Sequence, residues 1–438
     1  MNATPEALAA YQQAIERDYR RNLTALVAWD FTWGLCLPFI LFSASVPAYL
    51  GLLQSPKALI GFILSFPVLF AAGQILVSYV IPAARRQAIH RHLIVAGGIP
   101  WLLYSGLAYF WGHAWPAGLH FTAFTVVIAC YIGVQGLVNA LYWEMMVDNI
   151  PPRKRGRLYA LRTLAIGAPA ALSGAAASRV LAHWPAPRNY HVAFVIGLLI
   201  YLGGAAILWR LRDHVNPRHA RESEAPGKPP FFRYLAAQLH LRWKDPNYRI
   251  FLFFMVLLYM AYNALPFMVD AARTRLGASS QQLGGFSVVW LAANLGVGWA
   301  LGLLADRAGY RLVGAIIGGL LAAAFLLCLA TRQLYFWYAA YGAYAVASTA
   351  LPLLLCNMGA ELCPHEAPNR LMAIGNMVMA GFVLASSTFN GWIADRAGSY
   401  GPVFIANLVL SAVVVLGFSF IVREPRSGRL YALVAPHP

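Results

Sequence analysis

Twelve predominantly apolar runs of twenty or more residues recur along this 438-residue chain. They lie at about 23–49, 57–81, 92–112, 118–147, 158–181 and 191–211, then at about 249–271, 283–305, 312–331, 335–361, 371–394 and 402–421. Each is long enough to cross the hydrocarbon core of a bilayer. Backbone exposed to lipid must satisfy its own hydrogen bonds, so an all-α integral membrane bundle is expected. A β-barrel is excluded because no ten-residue segments of alternating polarity occur. Only 11% of residues are charged, against about a quarter in a soluble domain. That shortfall excludes a water-soluble enzyme of ordinary composition. A 60% hydrophobic and 13% aromatic content excludes disorder.

The first 22 residues hold Glu6, Glu16, Arg17, Asp18, Arg20 and Arg21 and no apolar core, so no cleavable signal peptide is expected. Of five cysteines, Cys36, Cys130, Cys328 and Cys356 fall inside apolar runs and Cys363 beside Pro364. They read as packing residues, with neither a disulfide framework nor zinc spacing.

The net charge is +17. On a soluble domain that excess would point to nucleic acid. Here the basic residues sit between apolar runs, as membrane topology requires, and no nucleic-acid partner is expected. With twelve spans both termini share a side. That side receives 26 of the 33 lysines and arginines; the other receives Lys57, Arg179, Arg188, Arg273, Arg275, Arg332 and Arg396. The richer side is cytoplasmic, so both termini are expected inside a cell (inner or plasma) membrane. The expected organisation is a cytoplasmic segment 1–22, a six-helix bundle 23–211, a cytoplasmic linker 212–248, a second six-helix bundle 249–422 and a cytoplasmic tail 423–438. The linker carries Pro226, Gly227, Pro229 and Pro230 among its basic residues, the composition of a flexible joint.

The two halves echo each other. After the fourth span come Asp148, Pro151, Arg157, Leu158 and Ala160; after the tenth, shifted by 213, come Glu361, Pro364, Arg370, Leu371 and Ala373. Matched halves are a mark of transporter architecture. An acid at a helix C-terminus and an arginine at the next N-terminus both oppose the helix dipoles, unless Arg157 crosses to the end of helix 4 and Asp148 to the start of helix 5. Two readings are open: a solvated turn whose salt bridge is worth under ~1 kcal/mol, or a part in a conformational change.

The eighth span ends in Gly302, Ala305, Asp306, Arg307, Gly309 and Arg311. This resembles the cytoplasmic signature of the major facilitator superfamily. Gly391, Asp395, Arg396 and Gly398 closing the eleventh span, Arg155 and Arg157 opening the fifth, and the basic joint after the sixth are similar to that superfamily too. The resemblance implies a major facilitator fold of two pseudo-symmetric six-helix bundles. It also implies that Asp306 faces the amide end of helix 5, near Arg155 and Arg157, as part of a cytoplasmic gate that includes Asp148, Glu361 and Arg370. At the matching end of the second span stand Pro82, Ala83, Ala84, Arg85 and Arg86, without the signature's Gly and Asp. The gate is therefore expected to be held from one side. Proton-driven drug exporters of the superfamily share an arginine in helix 4, which residues 118–146 lack, and Gly167, Pro169 and Gly174 match their helix-5 signature only loosely.

Asp30 is the one carboxylate well inside a run, roughly 12 Å past the Arg20–Arg21 edge at 1.5 Å per residue. A charge there costs on the order of 3 kcal/mol, so it should face the bundle interior. It is the candidate for coupling to a proton or another cation; the alternative is a buried aspartate satisfied by hydrogen bonds. Trp29 and Trp33 flank it. Helix 4 carries Tyr131, Gln135, Asn139 and Tyr142 at helical spacing. Helix 7 carries Tyr259, Tyr262, Asn263, Pro266 and Asp270, the proline predicting a kink. Helix 8 adds Trp290 and Asn294, and helix 10 adds Tyr341 and Tyr344. The resemblance implies that helices 1, 4, 7 and 10 line a central cavity, where these residues would meet a neutral or amphiphilic solute; interhelical hydrogen bonding could explain each stripe separately. Glu144 is placed at the gate. His113, His120, His183 and His191 lie toward the outer face without metal-ligand spacing.

The expected function is secondary active transport of a small organic solute by alternating access, coupled to a proton or other cation, by a lipid-embedded monomer without cofactor. The alternatives are a transporter-fold sensor or assembly protein and a drug or metabolite efflux antiporter. An enzyme is not expected: no loop houses a catalytic domain, and no nucleophile, base or metal cluster is visible.

Overall fold

The computed structural model describes residues 4–73, 79–217, 230–231, 233, 246–294, 297–362 and 368–424, and every regular element among them is helical. Most of the linker expected at 212–248, the Cys363–Pro364 turn and most of the tail lie outside the described residues. Among the described residues, ten stretches are long and apolar enough to cross a membrane. The two remaining expected spans fall on shorter pieces.

The chain opens with an amphipathic helix α1 (Pro5–Arg17), capped at its start by Thr4, whose side chain accepts from the Ala7 N–H at 3.4 Å. The first span is broken into α2 (Tyr19–Ile40) and α3 (Phe42–Leu52). Pro38 and Pro47 each remove a backbone donor, and Leu41 between the helices is extended. The second span begins as α4 (Lys57–Leu64) and α5 (Phe66–Ala71); α6 (Ala83–Trp111), α7 (Ala117–Asn149), α8 (Arg155–His183) and α9 (Arg188–Ile207) follow. In the second half come α10 (Pro246–Ala264) and α11 (Phe267–Leu276). These are the two parts of the seventh span, and Pro266, which starts the second part, provides the kink. The eighth span is α12 (Ser280–Asn294) with α13 (Val297–Ala308). Then come α14 (Tyr310–Ala330), α15 (Leu334–Leu362), α16 (Pro368–Ala397) and α17 (Gly401–Leu416).

The helices cluster into two compact units. The first comprises Met1–Gln54, Gly73–Phe231 and Ser280–Val288; the second comprises Ser55–Ala72, Phe232–Ser279 and Val289–Pro438. Each unit is thus one sequence half with a short stretch exchanged, the start of the second span for the start of the eighth. In the first unit α2 packs on α8 and α9, and α6 on α7 and α9. In the second, α14 packs on α15 and α17, and α16 on α4, α5 and α10.

Candidate functional site: a buried ion pair and two aromatic clusters

Asp30 on α2 is 1% exposed. It points into the first unit at Arg162 of α8, whose Nε donates to Oδ2 at 2.6 Å and whose second guanidinium nitrogen donates to Oδ1 at 3.3 Å. Tyr142 of α7 donates its hydroxyl to Oδ1 at 3.0 Å. The guanidinium also lies 5.1 Å from the centre of the Tyr142 ring. Local packing explains how the pair meets. One turn beyond Asp30, Gly34 lies so close to α8 that a Cβ would sit 2.3 Å from the Ile166 carbonyl oxygen, and Ile166 is one turn beyond Arg162. The glycine lets the two helices touch at one level, and the same register brings aspartate and arginine together at the next. A fully paired buried charge is tolerated, whereas one left alone costs several kcal/mol. His90 of α6 stacks on Tyr142 with ring centres 5.7 Å apart and planes 17° from parallel. It is fully buried, and neither ring nitrogen has a hydrogen-bond partner among the described residues. Arg162 and His90 were not picked out in the sequence. The available signal was charge balance: an arginine within one apolar run and an aspartate within another call for each other.

The other first-half candidates assemble around Tyr201 of α9. Trp29 and Trp33 lie 5.7 and 5.8 Å from its ring, Tyr131 at 5.9 Å, and Gln135 donates to its hydroxyl at 2.9 Å. Asn139 is exposed. The helix-4 stripe therefore divides: Tyr131 and Gln135 join the aromatic cluster and Tyr142 joins the ion pair. Of the histidines, His120 and His191 are linked through two tyrosines. Tyr49 meets Tyr104 at 2.8 Å and His191 at 3.3 Å, and Tyr104 meets His120 at 3.4 Å.

In the second unit Tyr262 stacks on Tyr344 at 4.7 Å, with Tyr259 and Tyr341 at 6.3 and 5.1 Å from their respective neighbours Tyr262 and Tyr344. Asn263 donates to the Tyr259 carbonyl at 2.9 Å, within its own helix. Asn294 donates to the Trp290 carbonyl at 2.7 Å and accepts from Thr349 of α15. The Trp290 indole N–H is buried without a partner among the described residues. Asp270 is a second deeply buried carboxylate, 2% exposed. It is paired with Arg273 one turn on at 2.9 Å and accepts the Tyr400 hydroxyl at 2.7 Å. Among the described residues, each unit thus holds a buried carboxylate–arginine–tyrosine constellation.

Among the expected gate residues, Asp148 is buried and its carbonyl accepts the Tyr11 hydroxyl of α1 at 2.9 Å, while Arg157, Arg307 and Arg311 are exposed. Glu361, near the end of α15, is half-buried. Gly302 lies on α13, and Arg155, Asp306, Arg370 and Glu144 lie on helices with side chains outside the described set. Gly309 has φ +85°, and a Cβ there would come within 2.3 Å of Glu424, whose carboxylate caps α14 by accepting from the Arg311 N–H at 2.8 Å. The signature glycine is therefore required twice, by its positive-φ backbone and by the cap beside it. Helix α1 is tied down by Glu16 to Lys154 and by Asp18 to Arg212 and His214, at 3.0 and 3.1 Å. Burial works against the Asp18 charge, but Arg17, Arg212 and His214 outweigh it and hold the carboxyl below its usual range.

This arrangement, helical throughout the described residues with charges paired inside apolar spans, is that of a polytopic membrane protein. Residues 31–347 match the Major Facilitator Superfamily, and the chain belongs to that family of transporters. A curated relative, sugar efflux transporter A of Dickeya chrysanthemi, is 27% identical over 212 residues, covering 47% of this chain and 48% of that protein. The match thus spans about half the length of that relative. Among solved structures, the nucleoside transporter NupG superposes with a TM-score of 0.66 at 13% identity, covering 91% of this chain and 98% of that one. The xylose transporter XylE from E. coli, in a partially occluded inward-open conformation, superposes with a TM-score of 0.61 at 12% identity, covering 93% and 98%. These likenesses establish the fold. Membership of that family makes the chain a multi-pass membrane transporter and not an enzyme.

Proposed function

We propose that this chain is a secondary active carrier for a small, neutral, hydroxylated organic solute, working by alternating access and coupled to protons through Asp30. The observation that carries the coupling is the buried Asp30–Arg162–Tyr142 constellation. Protonating Asp30 would free the Arg162 guanidinium, and a free buried guanidinium must find another partner or water. The proton and the state of the protein are therefore linked through one residue. Clusters rich in tyrosine and amide, without an unpaired charge, suit a solute that hydrogen-bonds and stacks but carries no phosphate. The printed names of the relatives, a sugar efflux transporter, a nucleoside transporter and a xylose transporter, support the same class. The sugar efflux relative favours outward movement. Both termini are placed in the cytoplasm of the cell membrane on the basic-residue asymmetry, and the working unit is a monomer without cofactor.

The test is a thermal-shift screen of the detergent-purified chain against neutral sugars and nucleosides, followed by counterflow of each stabilising compound in proteoliposomes. Ligand at a hundred times its Kd should stabilise the fold by about 2.7 kcal/mol. Compounds that stabilise the protein but show no counterflow would favour a solute sensor over a carrier.

A further inference from the structure

We infer that His120, Tyr104, Tyr49 and His191 form a continuous hydrogen-bond chain that takes up one proton and shares it between its two histidines, a proton site separate from Asp30. The chain lies within the first unit and draws Tyr49 from α3, Tyr104 from α6, His120 from α7 and His191 from α9. All four side chains are buried, with exposures of 0% at Tyr49, 5% at Tyr104, 8% at His120 and 1% at His191.

One carbonyl sets the direction of every bond. The Gly112 oxygen can only accept, so the His120 Nε2 that lies 2.8 Å from it carries a hydrogen. In the neutral ring Nδ1 is then an acceptor, and Tyr104 donates to it at 3.4 Å. The Tyr104 oxygen, its hydrogen already committed, accepts from Tyr49 at 2.8 Å. Tyr49 in turn accepts from His191 Nε2 at 3.3 Å. His191 Nδ1 is left as a bare lone pair, buried and without a partner among the described residues. Gly112 lets the first ring reach its carbonyl, since a Cβ there would lie 2.9 Å from the His120 Cε1.

That lone pair is the basic position the chain leaves open. A proton added at His191 Nδ1 makes that ring an imidazolium. Its Nε2 proton can then pass to the Tyr49 oxygen as the Tyr49 proton passes to Tyr104 and the Tyr104 proton to His120 Nδ1. Each bond broken is matched by one formed, and both tyrosines end neutral. The positive charge has moved from His191 to His120 with no heavy atom displaced. The two histidine links are the longer ones, and a charged ring would shorten them.

Other charges stand apart from this chain. On the helices that pack with α9, Arg179 and His183 near the end of α8 are exposed, as are His113 just after α6 and Arg188 on α9 itself. Tyr190 packs its ring 5.8 Å from that of Tyr49. The carboxylate of α2, Asp30, is held by Arg162 and Tyr142, and His90 of α6 stacks on that same tyrosine. The inference therefore stands whether or not Asp30 couples.

The experiment is nitrogen NMR of the full, lipid-reconstituted chain, isotope-labelled at histidine, with signals assigned by their loss in His120→Gln and His191→Gln. At neutral pH both rings should carry hydrogen on Nε2 and none on Nδ1. On acidification the imidazolium signature should grow at both rings with a single midpoint and sum to one proton, because coupled sites titrate as a pair. Tyr49→Phe should abolish the coincidence, with loss of the His120 shift that accompanies protonation of His191. Tyr104→Phe cuts the chain at its other oxygen and should give the same loss, so either folded variant decides. An Nδ1–H tautomer of His120 at neutral pH, or separate midpoints in the unmodified chain, would overturn the inference. So would a coincidence that outlives both tyrosine changes, or no imidazolium at either ring before acid unfolding.

Discussion

Asp30 and Arg162 neutralise each other where either charge alone would be costly to bury, and that makes the pair the most informative point in the chain. Arg162→Gln strands a buried carboxylate and should cost about 3 kcal/mol of stability. The double variant Asp30→Asn/Arg162→Gln, which removes both charges, should recover most of that loss. Denaturation midpoints in detergent check this, and equal losses in the single and double variants would mean that the pair is not desolvated. Asp18 makes a prediction of opposite location. Its folded-state carboxyl is held below its usual range, so the stability it contributes is complete above the unfolded value near pH 4 and is lost as pH falls through the lower folded value. Asp18→Asn should therefore flatten the acid limb of a stability-against-pH curve below about pH 4. A limb that keeps its steepness would remove Asp18 from that role.

At the scale of helices, the signature loop after the eighth span is built around Glu424 as much as around its own residues. Gly309→Ala should destabilise through both the positive-φ, extended backbone (φ +85°, ψ 162°), at about 1–3 kcal/mol, and the clash with Glu424. In a Glu424→Ala background only the backbone share should remain, so a thermal-unfolding cycle separates the two. This level also marks what could be read beforehand. The spans, the proline kink at Pro266 and the glycine signatures were legible because apolar runs, prolines and positive-φ glycines act through local physics. The partners were not: Arg162, Glu424, Tyr400 and Tyr201 are brought to Asp30, Gly309, Asp270 and Gln135 by helix register across 90 or more residues in three of the four cases and across 66 in the fourth. No pattern within a single run encodes such a meeting. The helix-4 stripe shows the same limit, since spacing placed Tyr131 and Tyr142 on one helix face but could not say that different neighbours would claim them.

For the molecule as a whole, membership of the transporter family and the buried charge pair lead to one claim, that solute movement and proton movement are joined at Asp30. The exchanged stretches, Ser55–Ala72 and Ser280–Val288, show that compact units need not coincide with sequence halves, which a repeat read from sequence could not reveal. The most direct measurement is solute accumulation in proteoliposomes under an imposed pH gradient, without ATP, using the solute found by stabilisation. The wild-type chain should concentrate solute against its gradient, and Asp30→Asn should lose that uphill movement while keeping counterflow. Uphill movement that survives Asp30→Asn, or wild-type movement indifferent to the pH gradient, would contradict the account.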